Sequence, residues 1–255
     1  MSRLFISRLL RLATLLLLPI VIGGCDDGRT GIGPGGSSGL PFDLEIPRQV
    51  PVGSLAAVSG TLVRRMEVVR NDSIFAINST PAFYAQFTVG DTTGRPSAVL
   101  LNSVALKQHR DTDTLRFATS INTSVYGINI WGLGSATDTM IFQINQIDPM
   151  DSVQPFTSAP RERIYRSDSA LVITWPRPTL ASNAVAVVVR GQDTTVSDVA
   201  LDTPGRYTVS AAAMAKLRGR ATVTVTRYLT QQQQWKGRSV SFARLAQYRA
   251  EITVQ

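Results

Sequence analysis

From about residue 45 onward, apolar side chains recur at every second position rather than every 3.6. Residues 221–228 read ATVTVTRY, an alternation that puts Val223 and Val225 on one side and threonines on the other. Successive side chains of a strand point to opposite faces, so this spacing suits a strand with one face in a core. The same period runs through 54–65, 83–89, 97–106, 124–133 and 139–147. After a proline-bearing stretch at 148–163 a second set of strand segments follows at 171–175, 184–190, 194–201, 206–209 and 242–254. Segment 184–190, AVAVVVR, is apolar at both parities, as in a central strand buried on both faces. Turn-forming clusters at 90–96, 110–113 and 132–138 separate the strands. Ser210 is placed as the N-cap of one short helix over 211–217, with Met214 and Leu217 facing inward.

Strands about every ten residues, joined by Gly, Pro and Asp turns, predict an all-β chain of sandwich type. Two sandwiches of roughly 100 residues each fit the length better than one barrel. The expectation is therefore two consecutive antiparallel β-sandwich domains, Ig-like or fibronectin III-like, over 45–148 and 149–255.

The first residues carry Arg3, Arg8 and Arg11 with no acid, followed by an apolar stretch at 12–22 that only Thr14 and Pro19 interrupt. That stretch is about half of the ~20 apolar residues needed to cross a bilayer, and it suits the core of a secretory signal. Ile22-Gly23-Gly24-Cys25 follows and resembles the bacterial lipobox. The resemblance implies a diacylglyceryl group on the Cys25 thiol, cleavage before Cys25 and a signal peptide over 1–24. Two or three acyl chains anchor firmly where one holds only marginally. The alternative is an ordinary signal peptide followed by a free Cys. Cys25 is the only cysteine, so no internal disulfide can form.

Residues 25–44 then form a tether, with DDGRTGIGPGGSSG at 26–39 giving a coil-like reach of about 20 Å. Asp26-Asp27 supports two opposite placements: it resembles an inner-membrane retention signal of enteric bacteria and a surface-export signal of Bacteroidetes-like bacteria. The expected location is the bacterial cell envelope, lipid-anchored at the outer membrane, with the side undecided.

The formal charge is +8, but three arginines lie in the leader. Their removal leaves 23 basic residues against 18 acidic, and no basic run exceeds Arg64-Arg65. A nucleic-acid partner is therefore not expected.

The segments 169–175, 186–189, 202–209, 214–217 and 223–228 look like the Ig-like C-terminal half of uncharacterised lipoproteins from bacteria of Bacteroidetes, Ignavibacteria and Gemmatimonadetes type. Phe83 to Trp131 is similar to the N-terminal half of the same proteins. This resemblance implies an envelope location and a two-part β architecture, and it assigns no functional residue beyond Cys25.

One Cys and one His exclude Cys/His zinc clusters and any centre that needs two imidazoles. His109 sits in the polar segment 107–111, expected as a solvated turn, and no G-x-S-x-G elbow accompanies it. Asp111-Thr112-Asp113 has a spacing seen at calcium loops but lacks the rest of that pattern, and a turn role is preferred, as it is for Asp138 and Asp193. The glutamates are Glu45, Glu67, Glu162 and Glu251, and no carboxylate pair stands out. Phe83, Tyr84, Tyr126, Trp131 and Trp175 are expected in the core rather than lining a groove. Trp235, after Gln231–Gln234 in an expected hairpin loop, is the one candidate ligand contact.

The chain thus reads as a non-enzymatic, lipid-anchored envelope protein without metal or cofactor, acting as a binding or adhesion module for an envelope protein or glycan. The alternatives are a scaffold of an envelope complex and, last, an Asp-based hydrolase.

Overall fold

The computed structural model describes residues 44–51, 53–70, 73–90, 95–110, 115–121, 127–134, 138–157 and 164–255, with backbone alone for 67–70, 73–74, 109–110 and 115–121. The leader, Cys25, Asp111 to Asp113, Tyr126 and Glu162 lie outside the described residues.

The strands are β1 (Leu55–Arg70), β2 (Ser73–Asn78), β3 (Ala82–Val89), β4 (Ala98–Leu101), β5 (Val104–Ala105), β6 (Lys107–Arg110), β7 (Leu115–Ile121), β8 (Asn129–Gly134) and β9 (Thr139–Ile144). They continue as β10 (Ile164–Tyr165), β11 (Leu171–Thr174), β12 (Ala184–Arg190), β13 (Thr195–Ala200) and β14 (Arg206–Val209). Helix α1 (Ala211–Met214) comes next, then β15 (Gly219–Trp235) and β16 (Arg238–Val254). The fold is all-β. The Ser210 hydroxyl caps α1 by accepting from the Ala213 amide at 3.2 Å. Met214 and Leu217 are buried as the cap predicts.

A ten-stranded sheet in the order β13-β12-β15-β16-β1-β3-β7-β6, with β2 and β10 attached to β1 and β16, forms the spine. Every pairing in it is antiparallel except those of β16 with β1 and with β10. One face carries Leu55, Ala57 and Val63 of β1, Val223 and Val225 of β15, and Phe242 and Tyr248 of β16. Two smaller sheets cover this first face, so sheet stacks on sheet as in a β-sandwich. The four-stranded sheet β5-β4-β8-β9 closes one core, with Trp131 and Phe142 tilted against Phe242 at ring distances of 6.3 and 5.2 Å. The pair β11-β14, α1 and residues 147–156 close the other.

Both cores lean on the same hairpin, and this corrects the expected boundary at 148. β15 and β16 have 17 residues each, about 55 Å of extended chain. They give Val223 and Tyr248 to one core, and Trp235, Val240 and Phe242 to the other. The parallel β1–β16 seam also joins residues 56–65 to 241–250 across the proposed division.

The opposite, second face buries Val58, Leu62, Ala186, Tyr228 and Leu245 under the segment that begins at Leu44. Strand β12 is therefore buried on both faces, as its AVAVVVR sequence predicts. At Gly60 the strands approach so closely that a Cβ would meet the Leu245 carbonyl, lying 2.8 Å from its carbon.

Candidate functional site

Interlocking registers lay out the second face in rows. One row runs Ala186–Thr226–Gln247–Leu62, the next Val188–Thr224–Arg249–Arg64, and the next Arg190–Thr222–Glu251, while Met66 pairs with Ile77 beyond the end of the β1–β16 seam. The first row is apolar at its ends and lies under the entering chain. The later rows carry charge and hydroxyl groups because ATVTVTRY sends its threonines to the face opposite its valines.

Gln247 fixes where the chain enters. Its buried amide accepts from the Glu45 amide nitrogen at 3.1 Å and donates to the Glu45 carbonyl at 2.9 Å and to Thr226 Oγ1 at 2.8 Å. Arg249 Nη2 donates to the same Gln247 Oε1 at 3.2 Å. A buried amide satisfied in this way specifies one arrangement of the strand below and the segment above. The Glu45 carboxylate accepts from Arg190 Nη2 at 2.8 Å and from Thr224 Oγ1 at 3.3 Å. Beside these contacts opens a groove of about 390 Å³, lined by Glu45, Arg190, Thr222, Thr224, Arg249 and Glu251. Its donors and acceptors suit a charged or hydroxyl-rich partner. Both Glu45 oxygens are already engaged, by Arg190 and Thr224, so the meeting of two glutamates here does not by itself make an acid–base pair.

Charged groups on the first face do other work. Arg227, fully buried, donates twice to Asp202 and also to the carbonyls of Asp148, Pro149 and Pro176. Asp202 further accepts from Trp175 Nε1 at 3.0 Å and Ser182 Oγ at 2.5 Å. This closed network ties three loops to the spine. Burial pushes the Arg244 guanidinium down to about 10, and it donates to the Gly127 carbonyl between the two cores. Burial raises the Asp148 carboxyl, but donors from Leu180 and Thr179 and the Arg227 charge outweigh it and hold it below the ordinary carboxylate value.

Trp235 is not the exposed aromatic that the glutamine run suggested. Strand β15 continues through Gln231–Gln234, and the turn is only Lys236-Gly237, with φ of 50° and 76°. Positive φ at both turn positions suits a two-residue hairpin whose twist matches the strands. Trp235 is consequently 2% exposed and sits in the core with Val240 and Phe242. It is withdrawn as a contact residue. The backbone of His109 lies in edge strand β6 opposite Arg116 rather than in a turn. Phe83, Trp131 and Trp175 are core residues, and Tyr84 is half-buried on the second face. No cluster of three or more metal-binding side chains occurs among the described residues. Sequence reasoning missed Arg190, Thr222, Thr224 and Arg249; the threonine parity of 221–228 was a visible signal for Thr222 and Thr224 alone.

No family model and no curated protein matches the chain. Among solved structures, a chimeric titin Z1Z2-Z1Z2 tandem functionalised with a GRGDS peptide from fibronectin matches with 9% identity, over 80% of this chain and 97% of that one, at a TM-score of 0.22. A likeness at that score carries no argument about fold or function.

Proposed function

We propose that the protein is a lipid-anchored component of the bacterial cell envelope, acylated at Cys25, whose β body is a non-catalytic binding module. The observation that carries this is the place of the groove. Glu45, 20 residues after Cys25, is hydrogen-bonded to the groove's own side chains, so the polar strip lies where the chain leaves for its anchor. The strip is floored by the long strands β15 and β16, which suits recognition by a preformed surface. Labelled palmitate fed to expressing cells should enter the wild type and not Cys25→Ala. Wild-type protein should also bind isolated envelope fractions more tightly than Thr222→Val/Arg190→Ala. An unlabelled wild type would end the anchored reading, and equal binding would end the role of the strip.

A scaffold role is the second reading, and one observation favours it. On the outer face of the four-stranded sheet Ile130 and Ile141 are 45 and 71% exposed, and Ile128 just before β8 is 48% exposed, which is apolar surface suited to a protein neighbour. Crosslinking from position 141 in cells tests it: a single fixed neighbour supports the scaffold, and none opposes it.

A further inference from the structure

We propose that the partner of the second face is the anionic lipid surface of the membrane that holds the anchor. The rows of that face bring three features together. Arg64, Arg190 and Arg249, with Arg220 one row further opposite Thr253, put four arginines against Glu45 and Glu251. Next to them the β1–β2 hairpin runs past the end of its pairing with β16, which stops at Arg65, and past β3, which stops at Leu62. Met66 pairs with Ile77, and Phe75 lies two residues along β2 from Ile77, so these three side chains fall on the second face. Met66, Phe75 and Ile77 are 43, 36 and 48% exposed there. A projecting apolar tip beside a basic strip is the arrangement by which surface-bound proteins seat in a headgroup layer.

The entering chain identifies the occupant. Leu44 and Val50 are buried on this same face, and residue 44 is 19 positions from Cys25. Nineteen residues span at most about 65 Å even when fully extended. An anchor at Cys25 therefore holds the second face within one short tether of the bilayer, and docking becomes an intramolecular step that weak contacts can drive. The isoleucines of the four-stranded sheet belong to the layer covering the first face and point away from the bilayer. This proposal rests on the anchored reading for its tether and on the strip for its contacts, and the two can fail separately.

The test uses the full chain in two single-label forms, Ile77→Cys and Ile141→Cys, each carrying a nitroxide and reconstituted in vesicles. In phosphatidylethanolamine/phosphatidylglycerol vesicles, the label at 77 should lose most of its collisions with a water-soluble nickel complex and gain collisions with oxygen. The label at 141 should stay aqueous. Replacing the lipid by phosphatidylcholine, or raising the salt, should return the label at 77 to water, and adding Phe75→Ser should do so in part. An aqueous label at 77 in the anionic vesicles overturns the proposal, and so does equal immersion of both labels. The mass of the N-terminal peptide reports acylation independently. An acylated Cys25 with an aqueous label at 77 sinks docking alone. An unmodified Cys25 sinks the anchor, and the label depth, read again in a Cys25→Ser background, still decides docking.

Discussion

Arg227 holds Asp202 with two parallel hydrogen bonds, Nε to Oδ2 at 2.6 Å and Nη2 to Oδ1 at 2.9 Å, and the two side chains are 0 and 7% exposed. A pair this dry owes its stability to completeness, because each charge left water only for partners that satisfy it. Removing one partner leaves the other charge buried. Asp202→Ala should therefore lower unfolding stability by about 3–5 kcal/mol, whereas the double variant Asp202→Leu/Arg227→Met should recover part of that loss. Urea unfolding of the three proteins checks this. Equal destabilisation by the single and double variants would mean that the network's geometry, rather than charge burial, is what matters.

Gly60 lies where β16 runs parallel to β1, beside the Leu245 backbone. An added methyl has a carbonyl in its way, and backbone cannot swing aside as a side-chain tip can. Gly60→Ala should cost about 1–3 kcal/mol, as overpacked cores do. Gly237→Ala should also destabilise, through its φ of 76° rather than through crowding. Replacing Gly237 by Asn, which tolerates that conformation, should restore part of the loss at 237, whereas Gly60→Asn should be worse than Gly60→Ala. Midpoints of chemical denaturation separate the two cases.

The valines of β15 and the aromatics of β3 and β8 were legible because burial on one face leaves a period of two in the sequence, and β12 because burial on both faces leaves an unbroken apolar run. The length of β15 was not, since Gln231–Gln234 is polar at both parities and carries no alternation. The shared spine was hidden for a different reason. Pairing β1 with β16 joins the two ends of the described chain, and nothing local in either strand names so distant a neighbour. The groove is hidden in the same way: it draws on residues 45, 190, 222, 224, 249 and 251, each unremarkable in its own segment.

Trp235 offers a direct check on where β15 ends. Its ring fills the core beside Val240 and Phe242. Trp235→Ala should lower stability by about 3–5 kcal/mol through the cavity it leaves. Trp235→Phe should cost less than about 1.5 kcal/mol, because it keeps most of the volume and discards an indole N–H that has no protein partner. Intrinsic fluorescence should show Trp235 shielded from iodide in the folded protein. Ready quenching of the 235 contribution, read by difference from Trp235→Phe, would place this residue in a loop after all.

Asp148 links fold stability to acid. Its carboxylate receives the Thr179 amide at 2.6 Å, the Thr179 hydroxyl at 2.8 Å and the Leu180 amide at 2.8 Å, while the neighbouring carbonyl of the same residue accepts from Arg227. Against the upward push of burial, these donors hold its folded value below the ordinary one. A depressed carboxylate contributes stability that is complete above its unfolded value, near 3.9, and is lost as the pH falls through the folded value. At neutral pH, Asp148→Asn should be less stable by on the order of 1 kcal/mol, the low end for charged hydrogen bonds because the group is partly solvated. Below about pH 4 the gap between wild type and variant should close, since protonation removes from the wild type what the substitution has already removed. Thermal unfolding from pH 7 to pH 3 measures that convergence. Parallel curves down to pH 3 would show that the carboxylate's charge plays no part in holding residues 179–180 to the spine.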